Sequence, residues 1–395
     1  MKHPKKYGKH NGQSVFIVAS PPTLELPATD NVWQAMRCIF ETVFLLVQQD
    51  SKWNIIMAKN NSTNSISKIM GFSSSKKKLM MEFLAIKALL KLRKHVDVIL
   101  LYQCTYSPLI SLLARLMRKK VVVFLGGSRW DVLKANISYA PSSNFYHVIQ
   151  QLLFDICLNL LTLIFCHKII LVSFTTLHDQ IVSKFKYKTS LAHNMPSEDI
   201  FDKFPDSIDI SKRDRVVGYV GAARIIKGIH LLMRAIPLIM SKRSDIKFLI
   251  ISDYTHCEPS TLFGELKKSL EWQNTQVVKH VKNKDLAKYL NNMKLLVIPS
   301  LSEGLPAVAL EAMACKTPVL ASPVGDLPAI IKDKVSGYLL SNNTPESISK
   351  SILRLIDNDD ELVNVSNNAY SNLRRNFDFH KMVDMWKKVL FETPR

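Results

Sequence analysis

Metal-ligand and disulfide patterns are missing from this sequence. Its 395 residues include six cysteines, none with CxxC or metal-ligand spacing, and most of them lie in apolar runs. Such cysteines are typical of reduced, buried thiols in a cytosolic protein, which argues against a disulfide or zinc framework. Low-complexity tracts are also missing, and a composition of 47% hydrophobic and 22% charged residues indicates a folded globular protein.

Long apolar segments are scarce as well. The most hydrophobic stretch, 156–174, is interrupted by His167 and Lys168, and its uninterrupted part has 11 residues. That length is too short to cross a bilayer and fits either a core helix that leads into a strand or an interfacial helix. The basic N-terminal residues are followed by a short strand-like run, so no signal peptide is expected and the protein is predicted to be cytoplasmic.

Negative charge is in short supply, and the deficit lies mainly in the first half. The formal net charge is +20, and the first 200 residues hold 25 Lys and Arg against 11 Asp and Glu. Such a field favours an anionic partner, either membrane lipid, nucleic acid or a phosphorylated substrate, unless it only maintains solubility. No recognition motif or aromatic-interleaved basic stripe supports nucleic acid, so none is expected as a partner.

The pattern of elements predicts an α/β protein with two doubly wound domains. A chain of this length exceeds the size at which one core keeps growing. Helical patterns such as 32–48 and 76–94 alternate with continuous apolar strands, which indicates parallel sheets covered on both faces. The candidate strands are 14–20, 53–58, 96–101, 120–125, 168–173, 215–220, 246–252, 275–281, 294–300 and 317–322.

Proline, charge and a lack of periodicity place the domain break near 194–215. We predict domains over 1–205 and 206–376. The remaining residues, 377–395, include an amphipathic helix with large apolar residues at helical spacing.

Two acids lie around a small-residue helix in PSLSEGLPAVALEAMACKTPVLA, residues 299–321. Glu303 follows a buried strand, at the strand end where open α/β sheets bind ligands, and Glu311 lies eight residues later. Gly304 permits close backbone approach, and a helix beginning near Pro306 would direct amide donors at an anion or at sugar oxygens. The alternative is structural, with Glu303 as a helix-dipole partner and Glu311 as a solvated residue.

A second candidate site lies in VGYVGAARIIKGIHLLMRAI, residues 217–236. Its strand is followed by Gly221, and the loop after it carries Arg224 and Lys227 beside the start of a helix. Two cations at such a position can bind the oxygens of a diphosphate. The Walker pattern is absent, and solvated surface cations are the alternative. Taken together, cations for a diphosphate and carboxylates for hydroxyl groups match the chemistry of a nucleotide sugar.

These motifs resemble glycosyltransferase family 4, retaining enzymes of glycosyltransferase group 1. The resemblance covers about 215–392, and its most specific element is the Glu-x7-Glu signature at Glu303 and Glu311. It implies the GT-B fold, with two Rossmann-like domains whose parallel sheets face a central crevice and a C-terminal helix that crosses back to the first domain. It also implies a nucleoside diphosphate sugar as donor, and neither a cofactor nor a metal.

The resemblance assigns a role to each candidate residue. Glu303 contacts the donor sugar hydroxyls and Glu311 the ribose, while Arg224 and Lys227 hold the diphosphate. The donor site implied in this way comprises Gly221, Arg224, Lys227, Glu303, Gly304, Leu305, Pro306 and Glu311, with Glu303, Arg224 and Lys227 as the catalytic set.

Two departures from the family pattern concern the arginine and the acceptor side. Ala222 and Ala223 separate the glycine from Arg224, and the loop 19–31 lacks the glycines of many relatives. The segment 124–133 has no histidine where the family often has one. Gly126, Gly127 and Ser128 are the acceptor-side candidates there, and no general base is assigned.

We therefore expect a metal-independent, retaining glycosyltransferase acting on a glycan or lipid-linked acceptor in cell-surface polysaccharide or glycolipid synthesis. An Asp-x-Asp metal site is not evident, and DNDD at 357–360 resembles an exposed connection. The basic first domain suggests contact with an anionic membrane surface, peripheral at its inner face. The alternative function is a catalytically weakened relative that binds a nucleotide sugar and serves as a partner subunit.

Overall fold

The computed structural model describes residues 13–19, 33, 36–49, 52–59, 62–69, 77–102, 107–126, 145–172, 181–192, 208–252, 274–279, 281, 283–377 and 379–391. They form two compact units, each built on its own sheet. The first unit holds the first sheet and the last helix, and the second unit holds 208–377. The domain limits drawn from the sequence stay a prediction.

The first unit is built on an eight-stranded sheet with the order β4-β3-β2-β1-β5-β6-β7-β8. β1 pairs in parallel with β2 and β5, and the parallel pairing continues through β8. The strands β1 to β8 are Ser14–Ala19, Thr42–Gln49, Lys52–Lys59, Ser62–Ile69, Val98–Tyr102, Lys120–Leu125, Lys168–Leu171 and Thr189–Leu191.

One edge of this sheet differs from the sequence prediction. The helical pattern expected over 32–48 is wrong in its second half, because 42–49 form strand β2. β2, β3 and β4 pair antiparallel, so the sheet is mixed, and β4 was not predicted at all. The physical reason is that TVFLLVQQ is a continuous β-branched and apolar run with a partner strand beginning three residues after it.

Three helices pack on one face of the first sheet. They are α1 (Lys77–Leu92), α2 (Pro108–Leu116) and α3 (Phe145–Phe165). Apolar residues from all three, together with the 3-10 helix Val182–Lys188, join the strands in one buried cluster. None of the helices that the structure describes is long and apolar enough to span a bilayer.

Strands β9 to β14 form the all-parallel sheet of the second unit, in the order β11-β10-β9-β12-β13-β14. This is the strand order of dinucleotide-binding folds, and it reverses between β9 and β12. The carboxyl ends of those two strands therefore flank a topological switch point, where ligands bind in open sheets. The strands are Val216–Val220, Lys247–Ile251, Thr275–Val278, Leu295–Ile298, Val319–Ala321 and Tyr338–Leu339.

Helices of the second unit cover this sheet with apolar residues. Its buried cluster combines α4 with β9, β10, β12 and the later helices. A side-chain cap begins α8, where the Thr344 hydroxyl accepts a hydrogen bond from the Ser347 amide. The helices are α4 (Ile229–Met240), α5 (Asn283–Asn292), α6 (Ala307–Ala314), α7 (Leu327–Ile330), α8 (Pro345–Leu355) and α9 (Asp359–Asn376).

The last helix, α10 (Phe379–Phe391), belongs to the first unit by its contacts. Trp386 is fully buried, and its ring centroid lies 5.0 Å from that of Phe124 on β6. Lys120 donates a hydrogen bond of 2.6 Å to the Leu390 carbonyl. Burial of this apolar stripe is what holds the helix there.

Candidate active site

Two loops meet at the switch point of the second sheet. After β9 the chain makes a 3-10 turn, Ile225–Lys227, and after β12 it runs from Pro299 to Pro306 before α6. The amide of Leu301 donates a hydrogen bond of 2.9 Å to the Ile226 carbonyl, which joins the two loops directly. The side chains at these strand ends are therefore held close together.

Lys227 and Glu303 form an ion pair at this point. The Lys227 Nζ lies 2.8 Å from Oε1 and 2.7 Å from Oε2 of Glu303. The Glu303 side chain is only 6% exposed, whereas that of Lys227 is 34% exposed. A carboxylate removed from water to this extent needs a counter-charge, and Lys227 supplies it from the open side of the site.

Two glycines make the close approach of the loops possible. Gly228 has φ of +66°, and a Cβ placed on it would lie 1.8 Å from the Pro299 carbonyl oxygen. Gly325 has φ of +60°, and its Cβ would lie 2.1 Å from the Glu303 carbonyl oxygen. Any larger residue would force the backbone of the Glu303 loop away, because both obstacles are backbone atoms.

Side chains that the sequence analysis did not single out hold the Glu303 loop in place. The Ser300 hydroxyl donates a 2.7 Å hydrogen bond to Glu303 Oε1. Asn343 donates to the carbonyls of Pro299 and Ser300 at 3.1 and 3.0 Å, and accepts a 3.0 Å bond from the Ser322 hydroxyl. Asn343 is 43 residues from Ser300, so no local pattern could have identified it.

The remaining residues of the predicted diphosphate site lie on the loop after β9. Gly221 is half-buried, and its amide donates to the Ile251 carbonyl at 3.0 Å, so this amide serves the sheet. Arg224 is exposed and stands at the N-cap of the turn that ends with Lys227. Arg224 has an extended backbone there, and Lys227 follows three residues later, so both cations lie on the same short loop.

The rest of the Glu303 segment leads into α6. Gly304 and Leu305 are buried, Pro306 is the N-cap residue, and the Gly304 carbonyl accepts a 3.0 Å hydrogen bond from the Asp326 amide. Glu311 is half-buried in the second turn of α6.

Helix α6 ends at a buried thiol close to Glu311. Burial raises the pKa of the Cys315 thiol, the nearby Arg213 charge opposes the rise, and the charge of Glu311 adds to it. The structure thus places Glu303 beside Lys227 and keeps Glu311 on the helix behind it.

Of the acceptor-side candidates, Gly126 lies on the first unit, where it follows β6 and is half-buried. Gly127, Ser128 and residues 20–31 of the loop 19–31 lie outside the residues that the structure describes. Their predicted role stays a prediction.

Two Rossmann-like α/β units, with a cation and a carboxylate at one switch point, define the class of protein. The architecture is that of the GT-B fold. Sucrose-phosphate synthase from Thermosynechococcus elongatus is similar over 96% of this chain and 98% of its own, with a TM-score of 0.72. The sequence identity is 16%, so this likeness concerns the fold alone.

The sequence of the second unit narrows the class to a family. Residues 200–372 match the family described as "Glycosyl transferases group 1". The resemblance to glycosyltransferase group 1 inferred from the motifs is therefore confirmed. The finer assignment to family 4 stays a prediction.

Curated relatives match part of their own length. An uncharacterized glycosyltransferase of Methanocaldococcus jannaschii is 30% identical over 225 residues, which are 55% of this chain and 61% of the relative. The capsular polysaccharide biosynthesis glycosyltransferase CapM of Staphylococcus aureus is 29% identical over 184 residues, which are 45% of this chain and 47% of the relative. The chain thus spans about half to three fifths of these two relatives.

Proposed function

We propose that this protein is a retaining, metal-independent glycosyltransferase that moves a sugar from a nucleoside diphosphate sugar to a hydroxyl group. The Lys227–Glu303 ion pair at the switch point is the observation that carries the proposal. It places a cation for the diphosphate and a carboxylate for sugar hydroxyls within one hydrogen bond of each other. A nucleotide sugar carries both a diphosphate and hydroxyl groups, so a site that offers both kinds of partner suits it.

The donor would enter on the exposed side of the pair. An ammonium group has three donors, so Lys227 can hold a phosphate oxygen while it remains paired with Glu303. Arg224, exposed on the same loop, would add a fork that fits phosphate oxygens bidentately. Glu303 accepts from sugar hydroxyls, and its position is set in advance by Ser300 and the Asn343 network.

Leaving-group stabilisation is the main catalytic task that we assign to this site. Negative charge grows on the diphosphate as the glycosidic bond breaks, and fixed cations stabilise that charge. Glu303 acts as a positioning group and not as a nucleophile. We propose a front-face path in which the leaving phosphate assists the acceptor, so the anomeric configuration is kept.

Similarity to known proteins supports the part of this proposal that names a glycosyltransferase. Residues 200–372 match the group 1 glycosyl transferases, and one relative is named for capsular polysaccharide biosynthesis. On that basis we propose a glycan or lipid-linked acceptor in cell-surface polysaccharide or glycolipid synthesis. The thiols Cys157, Cys166 and Cys315, none of them in a disulfide, suit the cytoplasmic location that we propose.

Stereochemistry and donor turnover test the proposal together. The purified full chain, incubated with UDP- or GDP-sugars and simple glycoside or lipid acceptors, should release the nucleoside diphosphate and form product without added metal. The anomeric proton coupling, followed by NMR, should match that of the donor. A product with the inverted anomeric configuration would contradict the retaining mechanism. Donor binding without turnover would favour the partner-subunit alternative.

The Asn343→Ala variant should lower the turnover number about tenfold while the fold persists. The variant removes both hydrogen bonds that fix the carbonyls before Glu303, so the carboxylate is held less well. Steady-state kinetics and a thermal melt measure the two effects. Asn342→Ala, at an exposed neighbour that does not contact the Glu303 loop in the described structure, is the matched control. Equal kinetics for the two variants would exclude a positioning role for Asn343.

A further inference from the structure

Exposed large apolar side chains are concentrated on one layer of the first unit. Among the residues that the structure describes, eleven such side chains are exposed, and eight of them lie on α1, α2, α3 and the 3-10 helix Val182–Lys188. We call this layer the outer helical surface. Its apolar members are Phe83, Leu90, Leu109, Leu116, Phe154, Leu161, Ile164 and Tyr187.

Hydrogen bonds show that these elements lie side by side. Glu82 on α1 accepts a 2.6 Å bond from the Leu109 amide at the start of α2. The Ser107 amide, just before α2, donates to the Thr162 hydroxyl on α3 at 3.2 Å. Lys188 donates to the Leu163 carbonyl at 2.6 Å. All these elements also contribute to the same buried cluster on one sheet face, so their opposite sides form one continuous surface.

The apolar residues follow the spacing of helical stripes that point away from the core. Phe83 and Leu90, Leu109 and Leu116, and Phe154 and Leu161 are each seven residues apart, which is two helical turns. Leu116 is 73% exposed and Phe83 is 65% exposed, so burial within this chain does not explain them. The hydrophobic stretch at 156–174 thus serves both the core and the surface.

Positive charge surrounds these stripes. Eight exposed cations lie on or beside the same elements, namely Lys87, Lys91, Arg93, Lys94, Arg115, Arg118, Lys184 and Lys186. Over 77–119 the sequence holds nine Lys and Arg but only Glu82 and Asp97 as acids. Glu82 is buried, and Asp97 accepts hydrogen bonds from Ser14. The charge of the described part of this surface is therefore strongly basic.

We propose that the outer helical surface docks on an anionic lipid bilayer. Its apolar side chains would enter the boundary between headgroups and acyl chains, and its Lys and Arg side chains would meet lipid phosphates. Charge complementarity favours this partner, because a second copy of the chain would bring eight cations against eight cations. The inference goes beyond the proposed function and does not depend on the donor site.

Vesicle flotation of the full chain tests the docking surface. The protein should float with vesicles of phosphatidylcholine mixed with phosphatidylglycerol, and much less with phosphatidylcholine alone or at high salt. The double variant Phe83→Ser/Leu116→Ser should weaken binding about tenfold because apolar insertion is lost. The double variant Lys87→Gln/Lys91→Gln should weaken binding about fivefold for each charge removed.

Matched controls come from the second unit. Leu238→Ser/Val335→Ser removes two exposed apolar side chains, and Lys212→Gln/Lys242→Gln removes two exposed charges. Both controls should float like the wild type, and all variants should keep the wild-type melting temperature. Equal flotation of surface variants and controls would overturn the proposal. So would a dimer, detected by light scattering, that Phe83→Ser/Leu116→Ser converts to a monomer.

Measuring nucleotide-sugar binding by the same variants distinguishes failure of the docking surface from failure of the proposed function. The surface variants should retain wild-type donor stabilisation in a thermal melt, because they lie outside the donor loops. Loss of flotation with intact donor binding supports the docking surface. Flotation without donor binding leaves the surface in place and contradicts only the proposed function.

Discussion

The Glu303→Gln variant should lose at least a hundredfold in kcat/KM for sugar transfer while it remains folded. Glutamine has nearly the size and shape of glutamate but lacks its negative charge. In the wild type that charge pairs with Lys227, whose Nζ lies 2.7 Å from Glu303 Oε2. The sugar then loses a charged acceptor, and Lys227 loses the group that orients it. Removing one preorganised electrostatic contact typically costs about 100- to 1,000-fold in rate.

A double-mutant cycle separates this pair from independent contributions. Lys227→Met alone should reduce transfer by a similar factor, since it removes charge stabilisation at the diphosphate. The double variant should then lose much less than the product of the two single effects, because the residues act as a unit.

Exposed charges elsewhere on the second unit provide the controls for this cycle. Glu346→Gln and Lys332→Met alter side chains away from the switch point and should have wild-type kinetics. Wild-type activity in Glu303→Gln would contradict the assigned site.

The Arg213→Met variant should lower the free energy of unfolding of the second unit by about 3 kcal/mol or more. Arg213 is only 5% exposed, and burial lowers its pKa to about 10, so it remains charged at neutral pH. Its guanidinium group donates four buried hydrogen bonds, to the carbonyls of Leu290, Met293 and Cys315 and the hydroxyl of Thr317, and a fifth, part-buried one to the Ile208 carbonyl. Methionine fills the space but leaves these acceptors without their donor.

Thermal and denaturant unfolding measure this loss. For a unit of this size the melting temperature should fall by roughly 10 °C. Arg215→Met, two residues along the chain, removes a surface ion pair with Asp357 at 2.6 Å and should cost far less, because solvent screens exposed ion pairs. Similar losses for the two variants would contradict the role of Arg213 as a buried link between the loop before β9, the end of α5 and the end of α6.

Parts of the fold could be predicted because they depend on local patterns. Short apolar runs identified most strands, including β9 and β12, and the Pro-containing turn predicted the start of α6 within a residue. Once those two strands are known, the rule that ligands bind beyond strand ends places Lys227 and Glu303 in the same region. The alternation of strands and helices, with the chain length, predicted two doubly wound α/β domains, and the GT-B assignment came from the family resemblance.

Other parts depended on partners that are distant in sequence. TVFLLVQQ suits a helix or a strand by composition, and its pairing with β3 decides the outcome. Asn343 contacts the Glu303 loop from a turn after β14, and only the folded sheet brings them together. Arg213 is buried through contacts with residues 77 to 104 positions away, which no local pattern indicates. Tertiary hydrogen bonds of this kind leave no periodic signal in the sequence.

A thermal-shift screen of UDP- and GDP-sugars is the most direct test of the claim that the switch point holds a nucleotide sugar. Ligand that binds only the folded state raises the melting temperature in proportion to its affinity and concentration. At least one nucleotide sugar should stabilise the wild type, and the same ligand should fail to stabilise Lys227→Met. If no nucleotide sugar shifts the wild type, or if the shift persists in Lys227→Met, the central claim is contradicted.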